Sequence, residues 1–292
     1  METSKEVLAS SPDQMVERER GLNFLDYLLN KIKENQEEIK NRESFEALKR
    51  QLLKEFPDEA ITVEILFGFK DVLEIQKAIY EHHRFKKRTM KGGEIKDKFR
   101  TLTQWQFTTA FFIFNVGRDK EYAQKFWAII EKLNRIFTPE FSCWGRFRNG
   151  IAGQVALHRL LERYHGKMST PDEDAFEKID FWLPGGAGEI EKAIQLKCKQ
   201  GSEEIVFIEV DKISYPSVLV KRGGGAETHY SEAEILNIIH FRESCQVLAE
   251  RNKRPIKAFY VILPKKMVDL DTGMPQPALS KKFEEMAKQS LN

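Results

Sequence analysis

Apolar residues recur at helical spacing over most of the first half of the chain, which predicts a domain of about five or six helices. The predicted helices cover residues 17–39, 43–56, 72–82, 101–116 and 122–137. Residues 61–69 alternate only weakly, so a strand and a buried helical turn both fit this segment. We therefore assign residues 1–140 to an all-helical domain that binds substrate or a partner.

The pattern changes after residue 141, where short apolar runs are separated by turn residues. A helix over Val155–Tyr164 precedes three predicted strands, Ile179–Leu183, Ala193–Lys199 and Ile205–Val210. A capping box at Ser231 opens a further helix, and a buried strand follows at 256–263. This order of elements predicts an α/β domain over residues 141–292, with a mixed sheet flanked by helices.

Three polar residues interrupt the apolar strands of this predicted sheet: Asp180, Gln195 and Lys197. Strand side chains alternate between faces, so Gln195 and Lys197 are expected to project from the same face. A half-solvated hairpin with an Asp180–Lys197 salt bridge is one interpretation. The other is a metal-dependent phosphodiesterase site, in which Asp180 and Gln195 supply oxygen ligands and Lys197 supplies the catalytic cation.

The order of Asp180, a turn and Gln195-Leu196-Lys197 resembles the PD-(D/E)xK nuclease superfamily, in a branch with QxK in place of (D/E)xK. The resemblance implies a restriction-endonuclease-like core and a Mg²⁺- or Mn²⁺-dependent endonuclease that hydrolyses DNA. It implies a role in restriction, phage defence or mobile elements, and leaves a protein partner or a homodimer open. Because Gln replaces an acid, a catalytically inactive nuclease-fold subunit that binds nucleic acid or assists assembly is the alternative.

The same resemblance implies a Glu that faces the site from the helix before the first core strand, and the matching residue here is Gln154. A second neutral residue calls for another carboxylate near Asp180. The acids close to that strand in the sequence are Glu162, Glu173, Asp174 and Glu177. Asp174 is the preferred candidate because it lies in a tight turn just before the strand.

The densest basic stretch runs from His82 to Arg100 and contains Lys86, Lys87, Arg88 and Lys91. Such a stretch can follow a phosphate backbone, since each Lys or Arg that contacts a phosphate releases counterions. A solvated linker explains the same composition equally well. We predict nucleic-acid contacts at these four basic residues, and DNA as the partner.

Composition narrows the class of protein. The 292 residues are 41% apolar and 32% charged with a net charge of +2, so any basic surface is local. Cys143, Cys198 and Cys245 lack paired spacing, which argues against a zinc ribbon or a disulfide framework. No apolar segment is long enough for a signal peptide or a membrane span. These features predict a soluble cytoplasmic protein.

Overall fold

A computed structural model of the chain describes residues 12–85, 92–116, 119–138, 144–184, 190–210, 220–221, 227–228 and 232–290. Within these residues the helices are α1 Pro12–Glu34, α2 Arg42–Glu55, α3 Ala60–Phe85, α4 Gly92–Val116, α5 Lys120–Phe137, α6 Trp144–Leu161, α7 Glu232–Asn252 and α8 Pro277–Ser290. The strands are β1 Lys167–Met168, β2 Phe181–Leu183, β3 Glu191–Lys199, β4 Val206–Glu209, β5 Val220–Lys221, β6 Glu227–Thr228 and β7 Ile256–Pro264. No helix in these ranges is both long enough and apolar enough to span a membrane.

The chain divides into two compact units by its contacts. The first unit combines Met1–Glu74 with Asp119–Trp144, and the second combines Ile75–Arg118 with Gly145–Asn292. The chain crosses between the units after residues 74, 118 and 144, and the last of these positions is close to residue 140, where the sequence pattern placed the boundary. Residues 75–118, which the sequence pattern assigned to the helical domain, group instead with the sheet. The roles assigned to the two predicted domains stay predictions.

The first unit is built from helices around an aromatic core. Phe45 stacks on Phe67 with ring centroids 4.5 Å apart, and its edge meets Phe137 at 5.1 Å. For residues 61–69 the sequence allowed a strand or a buried helical turn, and the structure shows a helix. Helix α3 begins directly after the 3₁₀ turn Pro57–Glu59 and includes this segment. Most side chains in this segment are buried. A helix that is buried on nearly all sides loses the amphipathic pattern, which explains the weak periodicity.

The second unit contains a mixed five-stranded sheet with the strand order β1-β2-β3-β7-β4. Strand β3 pairs antiparallel with β2 and parallel with β7 along its whole length, from Glu191 opposite Ile256 to Lys199 opposite Pro264. Strand β4 pairs antiparallel with β7 on the other side. Strand β7, the last of the described strands in sequence, therefore lies inside the sheet, between β3 and β4.

Helices cover both faces of this sheet. On one face, Ile194 and Leu196 of β3 pack with residues of α6 and α8, such as Ala156 and Phe283. On the other face, Ala193 packs with α7 residues, and β7 alternates in the same way. The predicted mixed α/β sheet flanked by helices is therefore confirmed, while the restriction-endonuclease-like core stays a proposal.

Helix α4 packs within the sheet unit through its aromatic face. Trp105 meets Phe147 of α6 edge to face, with ring centroids 5.8 Å apart. Arg159 of α6 donates a hydrogen bond to the Phe114 carbonyl at 2.8 Å and lies over the Phe114 ring. These contacts place the second half of α4 alongside α6, with Trp105 beside the start of α6 and Phe114 beside its end.

Candidate functional site

The site lies just before the start of β2, where, among the described residues, an edge of β3 has no neighbouring strand. Pairing between β2 and β3 stops at Phe181 opposite Ile194. Asp180 then donates its N–H to the Ile194 carbonyl at 2.8 Å, and its Oδ2 accepts the Leu196 N–H at 2.7 Å. The carboxylate thus bonds a backbone donor that strand pairing leaves open, which fixes its position at the edge of the sheet.

A second carboxylate comes from the π-helical turn Glu173–Glu177 that precedes β2. Glu173 stabilises this turn: its Oε2 accepts the Thr170 N–H at 2.6 Å, and its Oε1 accepts the Trp182 indole N–H at 3.1 Å. The neighbouring Asp174 is half-buried and lines the same cavity as Asp180. Of the four acids considered from the sequence, Asp174 therefore joins Asp180, whereas Glu173 has a structural role.

The two carboxyl groups perturb each other. Burial, followed by the charge of Asp180, raises the pKa of Asp174 from 3.8 to about 8, against the opposing effects of Lys197, Lys178 and the Gln154 amide. Burial also raises the pKa of Asp180, against the effects of Lys197, the Leu196 N–H and the Gln154 amide. Two half-buried carboxylates that repel each other need either a shared proton or a bound cation.

The two aspartates face a cavity of about 340 Å³ within the sheet unit. Gln154 of α6 lines it and donates from Nε2 to Asp180 Oδ1 at 3.4 Å, a long hydrogen bond. Leu196, Lys197 and Cys198 contribute the part of the wall that comes from β3. Burial raises the pKa of the Cys198 thiol to about 11, so this cysteine stays a protonated wall residue.

Lys197 lines the same cavity and attracts both carboxylates electrostatically. The hydrogen-bond partners of the Asp180 carboxylate are the Leu196 N–H and the Gln154 amide. The contacts that hold Asp180 in position are therefore different from the salt bridge that a simple hairpin would use. Lys197 adds a positive charge to the cavity without being the group that fixes the aspartate.

Gln195 has a different environment from the other predicted site residues. Its side chain is only 2% exposed, and it does not line the cavity. Ile194 and Leu196 face the core formed with α6 and α8, so alternation directs Gln195 toward the α7 face. Among the described residues, its Oε1 has no hydrogen-bond partner. The structure thus brings Asp180, Lys197, Gln154 and Asp174 together, and leaves Gln195 out of the cavity.

The sequence pattern missed three polar residues of the cavity: Gln106 on α4, and Arg146 and Asn149 on α6. Asn149 and Gln154 follow Arg146 by three and eight positions, which places them on the same side of α6 as Arg146. This shared face could have been predicted from the sequence if the helix had been extended to residue 144. Gln106 carries no such signal, because its position depends on how α4 packs against α6. The predicted nucleic-acid contacts at Lys86, Lys87, Arg88 and Lys91 lie outside the described residues.

The carboxylate oxygens of the two aspartates are ligands of the kind that a small divalent cation prefers. Mg²⁺ is commonly bound in proteins by one or two carboxylates, with water and substrate phosphate as its other ligands. Asp174 and Asp180 supply two carboxylates in one cavity, although the described residues contain no group of three or more His, Cys, Asp and Glu side chains placed to hold a metal.

This arrangement can hold a hard cation between two carboxylates, next to one lysine and several side-chain amides. Such a set of groups suits the binding and polarisation of a phosphate ester. The chain has no match among protein-family models, curated proteins or solved structures.

Proposed function

We propose that the protein is a Mg²⁺- or Mn²⁺-dependent endonuclease that hydrolyses DNA phosphodiester bonds. The observation that carries this proposal is the pair Asp174 and Asp180, two carboxyl groups with raised pKa values in one cavity with Lys197. Raised carboxyl pKa values next to a specific cationic group in a cavity are typical of functional sites.

The residues around the two aspartates have separate tasks in this proposal. Asp174 and Asp180 would hold the cation, and the cation would supply Lewis-acid polarisation of the phosphate and a lowered pKa of bound water. The Leu196 N–H and the Gln154 amide keep the Asp180 carboxylate oriented. Lys197 supplies a fixed positive charge for the charge that develops on the phosphate in the transition state.

A second candidate function is a nuclease-fold subunit without catalytic activity that binds nucleic acid or assists assembly. The observation that favours it is Gln195, an amide in place of the acid of the (D/E)xK triplet and absent from the cavity wall. The two candidates differ in the role of the aspartates, because only the enzyme needs them to bind a metal.

Cleavage of supercoiled plasmid, linear duplex, single-stranded and branched DNA, each with Mg²⁺, Mn²⁺ or EDTA, tests the proposal. We expect Asp180→Asn and Lys197→Ala to lower the cleavage rate roughly 10²–10⁴-fold, the usual range for loss of such groups. Lys281→Ala removes an exposed lysine from α8 and serves as the matched control for charge.

The outcomes separate the candidates. Metal-dependent cleavage that both variants lose, and that Lys281→Ala retains, supports the enzyme. DNA binding without cleavage by any variant, and without any response to metal, supports the inactive subunit. Cleavage by Lys197→Ala or Asp180→Asn at the wild-type rate excludes the mechanism proposed for these residues.

A further inference from the structure

One face of α6 forms a continuous wall of the cavity. Arg146, Asn149, Gly150 and Gln154 all line it. Residues three, four and eight positions apart on an α-helix lie on the same stripe, so these residues follow one another along the wall. Gln154 contacts Asp180, which places the carboxylates at one end of this stripe and Arg146 at the other.

The hydrogen-bond donors at the Arg146 end are not used within the protein. Two other arginines of this unit are engaged within the protein: Arg148 bonds the Leu270 carbonyl, and Arg100 bonds Asp172 at 2.6 Å. Among the described residues, by contrast, exposed Arg146 has neither an ion pair nor a hydrogen bond.

The same holds for two amides beside it. Asn149 and Gln106 are half-buried, and the described part of the chain offers their side chains no hydrogen-bond partner. Buried polar groups are normally hydrogen-bonded, either to protein or to ordered water. Without protein partners, the two amides and Arg146 leave several donors on one cavity wall available to an external hydrogen-bond acceptor.

The chemistry of these donors favours an anion with several oxygen acceptors. A guanidinium group presents a planar set of N–H donors that matches phosphate, and amide NH₂ groups add neutral donors. Gly150 leaves room for such a ligand, because a Cβ at this position would meet nothing within 4 Å.

We propose that Arg146, Asn149 and Gln106 bind a phosphate group of the nucleic-acid strand, next to the phosphate that lies at Asp174 and Asp180. This inference rests on the proposed function, since it takes the substrate of the same cavity to be a nucleic acid. The three residues position the strand along α6 and take no part in bond cleavage. Arg146 supplies the charge, and the two amides supply further donors.

Binding measured without cleavage tests this subsite. The probes are fluorescein-labelled single-stranded and duplex oligonucleotides, measured by fluorescence anisotropy in EDTA over a range of KCl concentrations. We expect Arg146→Ala to weaken binding and to reduce the slope of log K against log [KCl] by about 0.7 for single strands or 0.9 for duplex, as expected when one phosphate is no longer bound. Arg254→Ala, which removes an exposed arginine before β7, is the matched control and should keep both values.

Two further variants check the assignment. Arg146→Lys keeps the charge but not the planar donor set, so it should retain the slope of the wild type and lose part of the affinity. Asn149→Ala should weaken binding without a change in slope, because it removes a neutral donor. Circular dichroism and melting temperature verify that every variant is folded.

The proposal is overturned if Arg146→Ala binds with wild-type affinity and slope, or if Arg254→Ala weakens binding as much as Arg146→Ala. The test is independent of turnover. If no metal supports cleavage but the Arg146→Ala effect is present, the phosphate subsite holds and the proposed endonuclease is wrong. If the wild type cleaves DNA and Arg146→Ala cleaves with an unchanged KM, the endonuclease holds and the subsite is wrong.

Discussion

Three glycines in α6 provide a direct test of how this helix meets the sheet and the cavity. A Cβ at Gly153 would lie 2.7 Å from the Cys198 Cβ and 3.6 Å from Leu196 Cδ2. At Gly150 and Gly145 a Cβ would meet no atom within 4 Å. Gly150 lines the cavity, whereas Gly145 does not. Comparison of alanine variants at the three positions therefore distinguishes the effects of helix propensity, of packing against β3 and of access to the cavity.

Alanine substitutions at these positions should change the free energy of unfolding in opposite directions. Gly150→Ala should stabilise the protein by about 0.5–1 kcal/mol, because alanine loses less backbone entropy in a helix interior. Gly145→Ala lies in the first helical turn, so its gain should be smaller. Gly153→Ala gains the same propensity but adds overpacking; because a Cβ 2.7 Å from the Cys198 Cβ forces a shift, the cost should lie in the upper part of the usual range of about 1–3 kcal/mol, which leaves a net loss of roughly 1–2.5 kcal/mol.

The variants should also differ in function. Gly153→Ala pushes α6 away from β3 and displaces Leu196, whose N–H holds the Asp180 carboxylate, so DNA cleavage should fall together with stability. Gly150→Ala should lower affinity for oligonucleotides while raising stability, because its methyl group enters the cavity. Gly145→Ala should leave both affinity and cleavage unchanged.

Urea unfolding followed by circular dichroism gives the free energies, and anisotropy in EDTA gives the affinities. A Gly153→Ala variant as stable as the wild type would show that α6 and β3 do not approach as closely as 2.7 Å implies. Equal oligonucleotide affinity for Gly150→Ala and Gly145→Ala would show that the open space at Gly150 is not occupied by the ligand.

Two further predictions concern charge. In the folded metal-free protein Asp174 has a pKa of about 8, whereas the ordinary value that applies in the unfolded chain is 3.8. The bound proton therefore stabilises the folded state. This stabilisation is complete below about pH 4 and is lost as the pH rises through 8. Between pH 5 and pH 9, the melting temperature of the metal-free protein should therefore depend less steeply on pH in Asp174→Asn than in the wild type. Equal slopes of melting temperature against pH would contradict the raised pKa of Asp174. Replacement of Lys86, Lys87 and Arg88 by alanine should lower the salt slope of DNA binding by roughly 0.7–0.9 for each phosphate that the variant no longer binds, and an unchanged slope identifies the stretch as a solvated linker.

Much of the secondary structure could be predicted from the sequence, because it depends on the local spacing of apolar, turn and capping residues. Helix α5 has a regular apolar stripe, and β7 is a short apolar run that ends at Pro264. The insertion of β7 between β3 and β4 had no local signal, since strand order depends on which edges remain available after the chain folds. The grouping of α4 with the sheet was missed for a similar reason: its aromatic residues indicate burial but not the surface that buries them.

The candidate site was predictable only in part. Asp180 and Lys197 stand out because charged residues are unusual in apolar strands, and Asp174 was favoured because its turn precedes the strand. Strand alternation alone suggested that Gln195 and Lys197 share one environment, yet only Lys197 lines the cavity. Pairing with β2 begins only at Phe181, so Asp180 bonds the Leu196 N–H at a part of the β3 edge that β2 does not cover. Such an edge is a property of the paired sheet and is not visible in a single strand.

Because β7 lies between β3 and β4, the sheet cannot be completed before β7 is available. Strand β3, which carries Lys197, pairs along its full length only with β7, and β4 also depends on β7 for its pairing. During synthesis, β3 and β4 leave the ribosome well before residues 256–264, so both strands have unpaired edges until β7 is made. Non-local strand pairing of this kind is slow and exposes the chain to aggregation. The part of the sheet that carries the cavity can therefore be completed only after β7 has been synthesised.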